Sequence, residues 1–312
     1  MKTPVNADCD YLNKCYGAQG RIVFRPSKHG TPIVVLANQY GSAEIALWGA
    51  QVFSYRPTGN QPVLFMPGNY DDYEAGSEIH GGIPICWPWF GRCGEEGSRM
   101  HGIVRYMPWY VKSSEYSEDI SEITLGFKSN EETRKIWNYD FELSLKISVS
   151  MKLTMELTST NTGDKPFWVT EGFHPYLRVR DIDQVTIKGV DGCEFYDTEC
   201  PEKGDKRIWV GDVTVEEGSK VFKVDKLEYA LIDNGLDRAI AMVSRGNKKL
   251  IVWNPGEAPF VGLNDGDYKK FVCVEPSTLF RDAGYELKAG ESHDLKIAIQ
   301  SVPNDGSVHA CK

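Results

Sequence analysis

Between Phe141 and Thr158, apolar side chains occupy every second position, and polar residues lie between them. The apolar positions are Phe141, Leu143, Leu145, Ile147, Val149, Met151, Leu153, Met155 and Leu157. A period of two is that of a β-strand with one face in the core and the other in solvent. Strands rarely exceed about 10 residues, so the run predicts two antiparallel strands that fold back near Ser150.

Other short apolar stretches have the length and composition of strands, and turn-forming residues such as Asp233–Gly235 and Asn264–Gly266 separate them. These stretches are Ile33–Ala37, Glu44–Arg56, Glu122–Lys128, Phe167–Thr170, Gln184–Lys188, Arg207–Val210, Lys220–Val224, Ala239–Ser244, Leu250–Trp253, Phe271–Val274 and Leu295–Ser301. No stretch has the periodicity of a long helix. The sequence therefore predicts an all-β fold, an antiparallel sandwich or barrel. We expect one domain over residues 1–312, with its core at about residues 20–301, because no linker or repeat divides the chain.

The charge balance opposes nucleic-acid binding. The chain has 35 Lys and Arg against 44 Asp and Glu, a formal net charge of −9, whereas nucleic-acid binding needs clustered cations. The apolar stretch Thr31–Ala37 is far shorter than the roughly 20 residues of a membrane helix. Polar residues interrupt the first ten positions, where a secretory signal would be apolar. We therefore expect a cytoplasmic protein that binds neither nucleic acid nor a membrane, with its eight cysteines reduced.

The segment Ile79–Gly91, followed by His101–Arg105, is rich in Gly, Pro, Trp and His and fits no regular element. Glycine permits a close backbone approach, proline fixes φ, and aromatic rings offer flat apolar faces on which a sugar could lie. For Trp87, Trp89 and Phe90 we favour the alternative, a tight loop whose aromatic residues belong to the core.

Three histidines, His80, His101 and His174, lie in such Gly, Pro or aromatic surroundings. Imidazole titrates near neutral pH and is the most frequent general acid or base, although a lone histidine is more often a surface or core group. Glu275 ends an apolar strand immediately before Pro276. Its carboxylate is either a site residue or a charge that brings the strand to solvent.

Several motifs, in this order, resemble those of the aldose 1-epimerase superfamily, in particular its hexose-6-phosphate mutarotase branch. The motifs are Gly81–Gly91, His101–Arg105, Phe173–Tyr176, Val252–Pro255 and Cys273–Pro276. The resemblance spans roughly residues 33–300 and implies a large antiparallel β-sandwich of the galactose mutarotase type.

The resemblance also implies the interconversion of α and β anomers by opening and closing of a sugar ring. Glu275 would be the general base at the anomeric hydroxyl and His174 the general acid at the ring oxygen. His101 and Arg105 would contact the sugar. Trp253 fits equally a residue that lines the sugar pocket and one that packs at the end of a strand. Such a reaction involves no redox change, so we expect no cofactor and no metal, and a hexose or hexose 6-phosphate as the small-molecule partner.

Some positions depart from the pattern of the branch. The branch usually has an arginine that helps to bind phosphate where this chain has His80, and a glutamine where this chain has Met100, before His101. Histidine cannot reproduce the permanently charged, bidentate fork of arginine. An acid of a later strand aligns near Lys220. We therefore expect His80, Lys220 and Arg105 to contact a substrate that differs from the commonest one.

Two other classes of protein remain open at this stage. The same aromatic loop would bind sugar in a non-catalytic carbohydrate-binding protein. Alternatively, His80, His101, His174 and Glu275 are a plausible ligand set for a jelly-roll metalloenzyme, although they are spread over nearly 200 residues without a local His-x-His pair. A zinc site at Cys86 and Cys93 has wider spacing than is usual.

Overall fold

Antiparallel β-strands make up most of the regular structure in the computed structural model of the protein, which describes residues 8–68, 72–93, 98–197, 207–224, 228–279 and 284–304. Two short α-helices are present in these residues, α1 (Cys9–Tyr16) and α2 (Glu131–Ile136). In chain order the strands are β1 (Ile22–Pro26), β2 (Pro32–Asn38), β3 (Gly41–Ala46), β4 (Val52–Pro57), β5 (Ile85–Cys86), β6 (Tyr110–Tyr116), β7 (Ser121–Lys128), β8 (Phe141–Val149), β9 (Leu153–Asn161), β10 (Phe167–Val169), β11 (Gly172–Phe173), β12 (Tyr176–Arg178), β13 (Val185–Lys188), β14 (Glu194–Asp197), β15 (Arg207–Ile208), β16 (Val213–Thr214), β17 (Gly218–Lys223), β18 (Glu228–Asp233), β19 (Arg238–Arg245), β20 (Lys249–Asn254), β21 (Phe271–Ser277), β22 (Tyr285–Leu287) and β23 (Ser292–Pro303).

The described strands form two large sheets and two smaller ones. The nine-stranded sheet has the order β16-β13-β18-β19-β23-β9-β8-β7-β6, and the eight-stranded sheet has the order β15-β14-β17-β20-β21-β11-β5, with β12 also paired to β21. Strands β1 to β4 form a sheet of their own, and β10 pairs with β22. The predicted all-β antiparallel sandwich is confirmed. No helix among the residues described here has the length and apolar character needed to cross a membrane.

The predicted hairpin is confirmed as β8 and β9. Their register ends at the pair Val149 and Leu153, so the chain reverses at residues 150–152, where the Ser150 N–H donates to the Lys152 carbonyl. The apolar side chains of both strands are buried, while Met151 at the turn is exposed. Alternation along the strands thus provides one complete face of the core.

The predicted strand Glu44–Arg56 is two strands. β3 ends at Ala46 and β4 begins at Val52, and the turn between them contains Gly49 and Ala50, both with positive φ. A Cβ atom on Gly49 would lie 2.5 Å from the Arg105 carbonyl oxygen, so the turn also requires glycine for a close backbone contact. The apolar residues on both sides of the turn had concealed it.

Buried apolar side chains connect the sheets. The largest cluster includes Val34 from β2, Leu145 from β8 and Val274 from β21, which belong to three different sheets. Every residue of β21 is buried, as expected for a central strand covered on both faces. Glu275 therefore lies inside the molecule rather than at a solvent-exposed strand end.

Candidate active site

A cavity of about 400 Å³ lies against one face of the eight-stranded sheet, at the neighbouring strands β17, β20, β21 and β12. Six of the seven site residues expected from the sequence line it: His80, His101, Arg105, His174, Trp253 and Glu275. These residues lie far apart in the sequence, and the tertiary fold brings them together around the cavity. The volume is within the range of small-molecule sites, which is about 300–1,000 Å³.

Strand register brings His174 and Glu275 together. Gly172 pairs with Ser277, and Tyr176 pairs with Cys273, so His174 is directly opposite Glu275 in the antiparallel arrangement. The His174 Nε2 atom lies 3.5 Å from the Glu275 Oε2 atom, and both side chains are buried. Residues directly opposite each other have neighbouring Cβ atoms, which makes the contact a consequence of the backbone pairing.

Aromatic groups fix the plane of the His174 ring. It stacks on Tyr176 with ring centroids 4.9 Å apart and an angle of 16°, and its edge contacts Trp253 at 5.7 Å. The backbone N–H of His174 donates to the Pro84 carbonyl, which attaches this residue to the glycine- and proline-rich loop. The buried Nδ1 atom of His174 has no hydrogen-bond partner among the described residues.

Burial shifts the two titrating groups in opposite directions. Loss of solvent raises the pKa of Glu275 well above its usual value. Loss of solvent, and then the nearby His101 and Arg105, lower the pKa of His174 well below its usual value. Low polarity favours the uncharged form of each group. Burial therefore favours the arrangement in which the pair holds its proton on the carboxyl group and the imidazole is neutral.

A strained turn presents His101 to the cavity. His101 and Gly102 have φ values of 62° and 81°, and a Cβ atom on Gly102 would lie 1.9 Å from the Trp87 carbonyl oxygen. The Gly91 N–H donates to His101 Nδ1 at 3.2 Å, so the neutral ring carries its proton on Nε2. Burial lowers the pKa of His101 to about 3. His101 is therefore a neutral hydrogen-bond donor beside His174, at a ring distance of 5.2 Å.

Arg105 is buried and engaged on one side of the cavity. Its Nη2 atom donates to the Ile79 carbonyl at 3.2 Å, and its Nη1 atom lies 3.5 Å from the Glu78 Oε1 atom. The same Glu78 oxygen lies 3.9 Å from His80 Nε2, and His80 Nδ1 lies 3.3 Å from the Tyr176 hydroxyl. Glu78, His80 and Arg105 thus form one polar group in the cavity wall.

Lys220 does not reach the cavity. It lies on β17, where its neighbours Ser219 and Val221 line the cavity, so alternation directs Lys220 to the opposite face of the sheet. Its ammonium group instead contacts the Glu216 carboxylate at 2.6 Å. The expectation that Lys220 contacts the substrate is therefore withdrawn.

Two acidic residues near the site escaped the sequence analysis. Glu78 lies in a polar stretch without a motif. Glu171 is fully buried just before β11, and its carboxylate contacts His293 Nδ1 at 2.5 Å and accepts a hydrogen bond from the Ser159 hydroxyl at 2.8 Å. The one feature of the sequence that could have identified Glu171 is its position three residues before His174.

One group of His, Cys, Asp or Glu side chains in the described part of the chain has ligand atoms close enough to hold a metal ion. It consists of His174, Cys273 and Glu275, whose ligand atoms lie within 4.8 Å of one another. Burial raises the pKa of the Cys273 thiol well above its usual value, so a metal would have to displace its proton. Neither the Cys86 and Cys93 pair nor the larger histidine set forms such a group among these residues.

Comparisons with known proteins show which family this chain belongs to. A model of the aldose 1-epimerase family matches residues 32–300. A relative from Escherichia coli (strain K12) is 32% identical over 247 residues, which are 78% of this chain and 82% of the relative. A relative from Cenchrus ciliaris is 28% identical over 279 residues, 84% of this chain and 82% of the relative. Both bear the name "Putative glucose-6-phosphate 1-epimerase".

The fold is also similar to that of solved structures. The crystal structure of a "putative mutarotase" from Salmonella typhimurium superposes with a TM-score of 0.84 and 27% identity, and covers 92% of this chain and 96% of that one. The family model extends over most of the strands described above and includes His174 and Glu275. This chain therefore belongs to the aldose 1-epimerase family of isomerases.

Proposed function

We propose that this protein interconverts the α and β anomers of a hexose or hexose 6-phosphate, with Glu275 as general base and His174 as general acid. The observation that supports this most directly is the placement of the two groups opposite each other, 3.5 Å apart, in the wall of a cavity of about 400 Å³. Two relatives named for glucose 6-phosphate support the same class of substrate.

In the proposed reaction, the Glu275 carboxylate takes the proton of the anomeric hydroxyl while the bond between C1 and the ring oxygen breaks. The electron pair of that bond moves to the ring oxygen, which receives a proton from the His174 imidazolium. The open-chain aldehyde rotates about its C1–C2 bond, and the reverse transfers close the ring as the other anomer. Each proton transfer contributes about 10² to 10⁴ in rate.

The buried pair suits this cycle because it holds one proton throughout. Before ring opening the proton is on His174, and after ring opening the pair is a carboxylic acid and a neutral imidazole. The pKa shifts of both groups favour this second, uncharged state. Burial therefore lowers the free energy of the state that follows ring opening relative to that of the ion pair that precedes it.

The remaining cavity residues would bind and orient the sugar. His101 offers the Nε2 proton, Arg105 offers its guanidinium N–H groups, and His80 lies on the same wall as Arg105. Trp253 provides an apolar surface next to His174. None of the contacts favours the non-catalytic carbohydrate-binding alternative, which would require no acid and base in contact.

Anomer exchange measured by NMR tests the proposal. Glucose, galactose, mannose and their 6-phosphates are compared with and without enzyme. We expect Glu275→Gln to lower kcat by about 10² to 10⁴ while sugar binding persists. Glu286→Gln, which removes an exposed carboxylate on β22, is the matched control and should leave the rate unchanged. Equal rates in Glu275→Gln and wild type would refute the assigned base, and full binding without any exchange by the wild type would favour a binding protein.

A further inference from the structure

The Arg105 guanidinium is already paired with a carboxylate inside the cavity. Glu78 lines the cavity, and its Oε1 atom is 3.5 Å from Arg105 Nη1 and 3.9 Å from His80 Nε2. The other Nη atom of Arg105 donates to a backbone carbonyl. Bidentate binding of a phosphate needs both arms of the guanidinium fork. Arg105 keeps some of its five N–H donors for a ligand, but a phosphate that binds there must share the guanidinium charge with the Glu78 carboxylate.

The charge of the cavity wall also opposes an anionic ligand. Among the described residues that line the cavity, Arg105 is the one Lys or Arg, while Glu78 and Glu275 are the acids. His80 and His101 are neutral at neutral pH because burial lowers the pKa of each, and His174 and Glu275 share one proton, so that pair has no net charge in either arrangement. The described wall therefore has no net positive charge, whichever protonation state Glu275 adopts.

A phosphorylated sugar and an uncharged sugar would meet this wall differently. A phosphate monoester carries a charge of about −1.5 to −2 at neutral pH, and no described group of the wall offers it an unpaired cation. A sugar hydroxyl, in contrast, can donate a hydrogen bond to the Glu78 carboxylate and accept one from Arg105. The polar group of Glu78, His80 and Arg105 is thus better matched to hydroxyl groups than to a phosphate.

We propose that the cavity selects an uncharged aldose and that Glu78 is the residue that discriminates against the phosphorylated form, by occupying Arg105 and by repelling the phosphate. This inference rests on the proposed function and narrows its substrate class. It separates the chain from relatives named for glucose 6-phosphate. The side chain of Glu78 is 38% exposed, so its replacement tests recognition without disturbing the core.

The test compares kcat/KM for glucose and galactose with that for their 6-phosphates in wild type, Glu78→Gln and Glu74→Gln. Glu74→Gln removes an exposed carboxylate of the same segment that does not line the cavity, and it is the matched control. We expect the wild type to favour the uncharged sugars at least about 10-fold, and Glu78→Gln to shift the ratio toward the 6-phosphates by about 10-fold, mainly through KM. Such a factor is about 1.4 kcal/mol. Inorganic phosphate should inhibit Glu78→Gln more strongly than wild type.

Binding measurements keep this inference separate from the proposed reaction. Dissociation constants for glucose and glucose 6-phosphate are determined by calorimetry in the Glu275→Gln background, with and without Glu78→Gln, so no turnover is needed. A wild-type preference for 6-phosphates, or a ratio of constants unaffected by Glu78→Gln, would overturn the role of Glu78 and leave the mutarotase proposal intact. Binding that follows the expected ratio without any catalysis by the wild type would support the role of Glu78 and refute the reaction.

Discussion

At the residue scale, Glu275 shows how a buried carboxyl group, here the proposed general base, lowers stability. A carboxyl group whose pKa is raised by folding holds its proton more tightly in the native than in the unfolded state. Above its usual pKa of 4.5, the unfolded chain therefore loses this proton first, and stability falls as pH rises toward the raised native value. His174 affects stability in a different pH range. Because folding lowers its pKa, the unfolded chain takes up this proton first, and stability falls as pH falls below 6.5.

Glu275→Gln should therefore be more stable than wild type, and the gain should be larger at about pH 8 than at about pH 5. Glutamine has a similar shape but no charge to bury, and each pKa unit removed is worth about 1.4 kcal/mol. The midpoint temperature, Tm, measured by calorimetry at a series of pH values checks this. Glu286→Gln, at an exposed position, should follow the wild-type curve. A Tm difference that is the same at both ends of the pH range would contradict the raised pKa of Glu275.

Residues that line the cavity could be predicted where the neighbouring sequence has an unusual composition. They could not be predicted where the neighbouring sequence is ordinary. His174 and Glu275 lie in motifs of Gly, Pro and aromatic residues, whereas Glu78 lies in a plain polar stretch and reaches the cavity through tertiary folding. Lys220 was misplaced for another reason. The adjacent apolar pair Val221 and Phe222 conceals the alternation of β17, so the sequence does not show which face Lys220 occupies.

At the scale of secondary-structure elements, Glu171 connects the segment just before β11 to the end of β21, the strand of Glu275. Its N–H donates to the Thr278 hydroxyl and its carbonyl accepts from the Thr278 N–H, immediately after β21. Its carboxylate binds His293 on β23 and the Ser159 hydroxyl on β9. The short strand β11, which precedes His174, is thereby attached to both large sheets.

Glu171→Ala should destabilise the protein by about 1–3 kcal/mol, because it removes a buried acceptor and leaves the His293 ring nitrogen and the Ser159 hydroxyl without this partner. Urea unfolding followed by circular dichroism measures the change. Glu286→Ala, an exposed position on a neighbouring element, should change the free energy of unfolding by less than about 0.5 kcal/mol. If both variants lost the same small amount, the pair between Glu171 and His293 would not hold β11 in place.

Strands could be predicted from the sequence where one clear pattern, such as strict alternation, defined them. The hairpin β8–β9 follows from strict alternation and strand length, and its turn falls at the predicted position. The predicted strand Glu44–Arg56 was wrong because apolar residues continue through a turn that positive φ at Gly49 and Ala50 makes possible. Strands such as β6, with exposed residues at most positions, have no apolar pattern to reveal them. Backbone pairing, rather than side-chain pattern, defines these strands.

At the scale of the whole molecule, the apolar core is continuous from the loop next to the cavity to the nine-stranded sheet. Phe141 of β8 in the nine-stranded sheet packs against Trp87 of the glycine- and proline-rich loop, with ring centroids 4.3 Å apart. Both rings are fully buried and belong to the largest apolar cluster. Because the same cluster contains residues of the first four-stranded sheet, no apolar boundary divides the described chain.

A continuous core predicts that the chain unfolds as one unit, as expected for the single domain inferred from the sequence. Phe141→Ala should lower the free energy of unfolding by about 3–5 kcal/mol through lost burial and the remaining cavity. Tryptophan fluorescence, which reports on Trp87 among others, and far-ultraviolet circular dichroism should shift together to the same lower denaturant midpoint. Met151→Thr, at the exposed turn of the same hairpin, is the control and should leave both midpoints in place. Two separate transitions, of which Phe141→Ala moved only one, would show instead that the sheets fold as independent domains.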